Sequence, residues 1–462
     1  MTDFASLLVA DRGQKARPIH LVDKEGFAAW AQTRPAEDRA IIDAHRFEGK
    51  GGFAILPRGG DFEVVAAAKE AQALSPWCLA GLAEKLPEGT YKLDDAEAGA
   101  AGLGWLLAQH RFDRYRAEPD DAERGPRVLV TGEAARIEAT VRLAEATALV
   151  RDLVNTPAAD MGPAEIEAAV SDEAKRSGGH VRVTAGAELT AGYPLIEAVG
   201  RAAIPERAPR LIELEWGKAG NPRIAIVGKG VCFDSGGLDL KQPAWMRNMK
   251  KDMGGAAHAL ALARLVSMAR LPVRLHLLIP TVENAVSGAA YRPGDIVRSR
   301  KGEFVEIDNT DAEGRVILGD ALAYAGEQSP QLLLDFATLT GAARTALGPD
   351  LPALYANDED VARHWLDAGQ RVRDPLWRMP LWRPYLRYLT SNVADIANSG
   401  PSKMAGSITA ALYLECFVPQ AMPWAHLDVY AWNDNDRPGR PAGGEAQGLR
   451  GVYVMLRERF GG

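Results

Sequence analysis

Short apolar runs of strand length at 211–215, 224–227, 273–279 and 332–336 alternate along the chain with helical patterns at 254–269 and 316–325. Runs this short and this continuously apolar suit strands that are buried on both faces. Strands joined through helices pair in parallel, because a parallel pair needs a crossover long enough to hold one. The alternation therefore predicts a mostly parallel central sheet flanked by helices. In such a sheet, ligands bind in the loops that leave the carboxyl ends of the strands.

The first 132 residues have a different texture, rich in alanine and charge and broken at 49–52 and 116–121. Strands are expected at 52–57 and 62–66 and a buried helix at 96–110, a small α/β unit with nothing catalytic in it. A longer helical pattern through Ile137, Val141, Ala144, Ala148, Val150 and Leu153 stops at Asn155-Thr156-Pro157, where the proline disfavours helix at the residue before it. The 462 residues are thus expected to divide into an N-terminal α/β domain (1–132), a junction helix (133–154) and a larger α/β domain (155–462). No internal repeat is present.

Composition narrows the partners. Lys plus Arg number 54 against 61 Asp plus Glu, a net charge of -7, so nothing draws the chain to polyanions in general and nucleic acid is disfavoured. Arg363, Arg371, Arg373, Arg378, Arg383 and Arg387 read as a solvated face. Cys78, Cys232 and Cys416 are odd in number and widely spaced, which is no disulfide framework and no metal clip. The first 18 residues lack a signal-peptide pattern, and no uncharged apolar run approaches the roughly 20 residues that span a bilayer. A soluble cytoplasmic protein is expected.

The residues that carry chemistry begin directly after the strand at 224–227, in Val227-Gly228-Lys229-Gly230-Val231-Cys232-Phe233-Asp234-Ser235-Gly236-Gly237. Neither the Walker spacing nor GxGxxG is there, which disfavours a phosphate cradle and leaves the glycines to be read mainly as a tight turn. Hard ligands accumulate further on: Lys241, Asp252 in Asp252-Met253-Gly254-Gly255, and Asp311 and Glu313 in Asn309-Thr310-Asp311-Ala312-Glu313-Gly314-Arg315. In extended backbone Asp311 and Glu313 would point the same way and could share a divalent ion.

These segments resemble the leucyl aminopeptidase family of two-metal cytosolic aminopeptidases. The run 309–315 matches its NTDAEGR signature, 227–237 its VGKGxxFDSGG, 252–255 its DMGG, and Ala337-Thr338-Leu339-Thr340-Gly341-Ala342 its ATLTGA. The likeness covers the second domain, and the first domain is similar only in size and position. It implies that Lys229, Asp234, Asp252, Asp311 and Glu313 hold two divalent ions, with Asp234 and Glu313 bridging. It also implies that Lys241 and Arg315 are catalytic, Arg315 holding a bicarbonate that acts as base. By the same resemblance Met249, Thr338 and Gly341 line the pocket for the first substrate side chain, the Leu339 carbonyl faces the substrate's N-terminal part, and the protein assembles as a hexamer, a dimer of trimers, acting on peptides.

The chemistry is intelligible on its own terms. Amide hydrolysis needs a stronger nucleophile than water and a sink for charge on the carbonyl oxygen, and two divalent ions supply both. Four carboxylates offset four positive charges, and Lys229 coordinates only after losing its proton. Lys241, if charged, stabilises the oxyanion. Oxygen donors with one amine suit Mn, Mg, Zn or Co, and Mn or Zn is expected. A two-metal phosphoesterase uses the same donors, and some members of the family also bind DNA.

No histidine motif such as HExxH is present. His258 and His276 are expected to be packed or surface residues, and His426 to make a structural hydrogen bond. Cys232 is expected to be buried and inert. Trp365, Trp377, Trp382 and Tyr385 are expected in the core and subunit contacts. The chain departs from the family at Val429-Tyr430-Ala431-Trp432-Asn433 and at 443–449. Tyr430 and Asn433 are therefore expected to border the pocket and to make it narrower or more polar, which puts a preference for leucine in doubt.

Overall fold

A computed structural model describes residues 2–69, 73–117 and 125–461, so the break expected at 116–121 lies from residue 118 onward outside the described residues. The chain forms two compact units, Met1–Ala148 with Asn435–Ala442, and Leu149–Asp434 with Gly443–Gly462.

The first unit is built on a six-stranded sheet in the order Leu8–Ala10, Arg127–Thr131, Gly89–Leu93, Arg17–Val22, Asp61–Ala67, Phe53–Arg58. Its pairings are parallel except for the last, an antiparallel hairpin turned at Gly59 and Gly60, both with positive φ. The helix Ala101–Leu107 is buried along its whole length, shorter than the 96–110 pattern, and Trp105 at its centre donates from Nε1 to the Arg127 carbonyl at 2.8 Å.

The second unit carries a nine-stranded sheet. Its path runs Trp377–Arg378, Ala353–Ala356, Trp424–Asp428, Leu332–Ala337, Arg223–Gly228, Arg274–Asn284, Arg210–Trp216, His180–Ala185, with Gly230–Asp234 pairing Arg274–Asn284 off that path. The central strands from Trp424–Asp428 to Arg274–Asn284 are parallel, as the alternation predicts. Antiparallel pairings appear outside that centre, so the sheet as a whole is mixed. Among the helices that flank it are Gly254–Met268 and Glu313–Glu327, while Ala134–Asn155 runs from the first unit into the second.

Glycines set the close approach between helix and sheet. A Cβ on Gly255 would lie 2.2 Å from the Phe336 carbonyl oxygen, and one on Gly228 2.7 Å from the Ala256 Cα. His258 is fully buried, its Nε2 accepting from Gln447 N at 2.9 Å. His426 bonds Asp335 through Nδ1 at 2.5 Å. Cys232 is buried and its burial pushes the thiol up to about 12, which leaves it un-ionised. Trp365 belongs to the core, whereas Trp377 and Trp382 are exposed. No described helix is long and apolar enough to cross a membrane.

Candidate active site

Four site residues stand at the carboxyl ends of parallel strands: Lys229 just after Arg223–Gly228, Asp234 at the end of Gly230–Asp234, Thr338 just after Leu332–Ala337, and Asp428 at the end of Trp424–Asp428. Asp252 comes in from a 3-10 turn, Met249–Met253, that runs into the Gly254–Met268 helix. Carboxylate oxygens of Asp234, Asp252 and Glu313, all buried, lie within 4.8 Å of one another.

Lys229 is 2% exposed and reaches three of these partners at once, Asp252 Oδ2 at 2.7 Å, Glu313 Oε1 at 2.9 Å and the Thr338 carbonyl at 3.0 Å. Burial opposes its charge, yet Asp252, Glu313 and Asp234 together hold the amine above its ordinary range. Lys241 sits 2.7 Å from Asp234 Oδ2 and also pairs with Asp311, which ties Asp311 to the cluster. The other Asp234 oxygen accepts from Asn284 Nδ2 at 2.8 Å and from Gly236 N at 2.9 Å. Gly236 and Gly237 make this turn with positive φ, and Cβ atoms there would crowd the Asp239 carbonyl and Asn284.

Asp311 and Glu313 do not share an extended strand, contrary to the expectation from their spacing. Thr310–Ala312 is a 3-10 turn capped by Asn309 Oδ1, and Glu313 opens the helix that follows. Asp311 is exposed and Glu313 buried, so the turn divides them in environment. Burial, then the Asp234 charge, push Asp311 up to about 6 and Glu313 up to about 8.

The donor set fits a divalent ion. Carboxylates this crowded resist ionising together without added positive charge. Glu313 Oε2 is moreover buried without a hydrogen-bond donor, and a bound cation would satisfy it. Lys229 is a counter-ion while charged, and only its neutral amine could coordinate an ion.

A cavity of about 410 Å³ opens over the cluster, and Met249, Thr338, Leu339, Gly341 and Tyr430 all line it, together with Lys229, Asp234, Lys241, Asp252, Asp311 and Glu313. Asn433 does not. It is buried in the Trp432–Asn433 strand, where Nδ2 donates to Glu445 Oε2 at 2.9 Å and Glu445 in turn pairs with Arg151, so an internal ion pair claims the amide expected at the pocket. Arg315 also stays off the cavity wall, Nη1 donating to the Asn398 carbonyl at 2.9 Å, while its buried Nε has no acceptor.

Among the further lining residues that escaped the sequence reading are Lys251, Arg344 and Asp428. Asp428 ends the strand Trp424–Asp428 and accepts from Leu339 N (3.0 Å), Thr340 N (3.2 Å) and Thr340 Oγ1 (2.7 Å), fixing the loop whose Thr338 carbonyl meets Lys229. Asp428→Ala strands those donors and is expected to cost about 10- to 100-fold in kcat/KM with metal content retained. Asp428→Asn, which keeps an oxygen for both N–H groups, should recover most of it. Equal losses in the two variants, or none in either, would contradict this positioning role.

Comparison with known proteins places these features in a family. The description "Cytosol aminopeptidase family, catalytic domain" matches residues 148–455, and "M17 aminopeptidase, N-terminal domain" matches 17–124. A probable cytosol aminopeptidase of Xanthobacter autotrophicus is 38% identical over 498 aligned positions, covering 99% of this chain and 98% of that one. The crystal structure of the cytosol aminopeptidase from Coxiella burnetii superposes with a TM-score of 0.93 at 44% identity, covering 98% of this chain and 99% of that chain. The bottromycin maturation enzyme BotP in complex with Mn superposes with a TM-score of 0.84 at 32% identity, covering 98% and 99%.

Proposed function

The chain belongs to the cytosol aminopeptidase family, M17, whose members are metal-dependent exopeptidases, and on that premise we propose that it releases the N-terminal residue of peptides with two divalent ions held by Lys229, Asp234, Asp252, Asp311 and Glu313. The observation that carries this reading is the convergence of three buried carboxylates and one buried lysine at the carboxyl ends of parallel strands, under a cavity large enough for a short peptide end.

When bound, such ions activate water and polarise the scissile carbonyl as Lewis acids. The chain's own residues do the rest. Lys241 lines the cavity, and its neighbours Asp234, Glu313 and Asp311 hold it charged against the opposing effect of burial, so it can stabilise negative charge developing on the substrate oxygen. Arg315 is the proposed holder of bicarbonate, and the unpaired Nε–H supports that role as a buried donor awaiting an anion's oxygen. Thr338, Leu339 and Gly341 form the wall along which the first residue would lie, with Met249 and Tyr430. Mn is the first choice of ion, since a similar enzyme was solved with it, and Zn the second. Assembly as a dimer of trimers follows from the family resemblance, and the exposed Trp377 (58%) and Trp382 (54%) are proposed to lie at its contacts. A cytosolic setting is supported by the relatives' names.

The test is substrate class and metal together. Purified protein stripped with a chelator should lose hydrolysis of aminoacyl p-nitroanilides and regain it with Mn, Zn, Co or Mg added one at a time. Turnover of p-nitrophenyl phosphate in place of the anilides would transfer the site to phosphoester chemistry, and activity undiminished by chelation would remove the metal from the reading.

A further inference from the structure

Resting on the aminopeptidase reading, we propose that Lys251 and Arg344 make the first-residue pocket of this chain cationic, so that it selects peptides beginning with aspartate or glutamate. Lys251 belongs to the Met249–Met253 turn, lines the cavity and is only 5% exposed. Among the described residues no hydrogen-bond acceptor engages its ammonium. Neighbouring Asp252 is taken up by Lys229 and Thr338, and Asp428 by the backbone and hydroxyl of 339–340. What the ammonium faces is the Tyr430 ring, 5.1 Å away.

Arg344, on the helix Gly341–Leu347, lines the same cavity and lies 4.5 Å from the same ring. No carboxylate pairs with it among the described residues. The one acid at Tyr430, Asp434, accepts from the phenol hydroxyl at 3.0 Å. Two cations thus share one aromatic ring, and neither is ion-paired among the described residues. A ring face compensates a desolvated cation only in part, and a carboxylate does so far better, above all one that meets the planar fork of an arginine.

The position of the two cations says which carboxylate. Lys251 is two residues from Met249 on the same turn, and Arg344 is three from Gly341 on the same helix, so both share elements with residues proposed to surround the first side chain. A peptide beginning with Asp or Glu carries the two charges the cavity asks for: an α-amino group toward the acidic cluster, and a side-chain carboxylate toward Lys251 and Arg344. Tyr430, which departs from the family pattern, then bounds a polar pocket.

The experiment uses the full chain loaded with Mn and the p-nitroanilides of Glu, Gln and Leu, since Glu and Gln differ in charge at nearly equal size. Glu is expected to exceed both others in kcat/KM by about 10-fold or more, mainly through KM. Arg344→Gln and Lys251→Met should each bring the Glu-to-Gln ratio toward one. Arg344 sits on a half-buried face, so its variant supplies the result if the Lys251 variant does not fold. Equal use of Glu and Gln by the unaltered enzyme, a preference for Leu, or an unchanged ratio in Arg344→Gln overturns the proposal while leaving the aminopeptidase reading intact. Failure on every anilide, Glu included, overturns both.

Discussion

Glu313→Gln is expected to lower kcat/KM for an aminoacyl anilide by about 10³-fold or more and to reduce bound metal, while the melting temperature of the metal-free protein moves by less than about 5 °C. The two halves of this result have separate causes. Glu313 is 1% exposed and its carboxylate stands within 4.8 Å of those of Asp234 and Asp252, so the negative charge it contributes is poorly solvated and repelled in the metal-free fold. Glutamine keeps an oxygen for the Lys229 ammonium, now 2.9 Å from Oε1, and removes one like charge, so the fold loses little. A divalent ion needs that charge, because anionic oxygens offset most of its own desolvation. Metal content by atomic spectroscopy, read beside thermal unfolding in chelator, separates the two. A variant that keeps full metal and full turnover would take Glu313 out of the ligand set.

The motifs were readable in the sequence because chemistry and packing ask for the same residues at the same places. Lys229 and Asp234 flank a strand only five residues long, and Gly228 and Gly255 are where helix and strand backbones come closest, so the spacing is tight enough to survive as a pattern. The parallel centre of the sheet was readable for a similar reason, since strands buried on both faces are apolar throughout.

What was not readable depends on which remote segments meet. Asp311 and Glu313 look paired by period, but a 3-10 turn and a helix start intervene, and local spacing does not report a cap such as that of Asn309. Asn433 looked like a pocket residue by its neighbours Tyr430 and Asp428, yet a buried Arg151–Glu445 pair, whose members are nearly 300 positions apart, takes its amide. Lys251 was hidden beside Lys250, which turns instead to the Asn155 carbonyl at 2.6 Å. Nothing in the sequence distinguishes two adjacent lysines on a turn. Nor does it tell that Asn435–Ala442 belongs to the first unit, where Gly439 N donates to Glu84 Oε1 at 2.7 Å.

Gly314→Ala is the second large effect, and here the ordinary expectation has the opposite sign. A glycine inside a helix costs roughly 0.5–1 kcal/mol relative to alanine, so the substitution usually stabilises. Gly314 is the second residue of the Glu313–Glu327 helix, and a Cβ built there would stand 2.4 Å from Lys229 Cε and 2.6 Å from its Nζ. A lysine at the surface would swing aside at little cost. Lys229 is 2% exposed and fixed by Asp252, Glu313 and the Thr338 carbonyl, so it yields only by giving up those contacts and its place in the cluster. Gly314→Ala is therefore expected to lose about 10²-fold or more in kcat/KM, the scale of an ångström-sized misplacement at a reacting centre. Its melting temperature should fall in the metal-free protein and fall further relative to the unaltered chain once metal is supplied, because the displaced amine no longer serves as a ligand. A variant that melts higher and turns over normally would show that Lys229 has room to move, and with it that the buried amine is not the fixed ligand proposed.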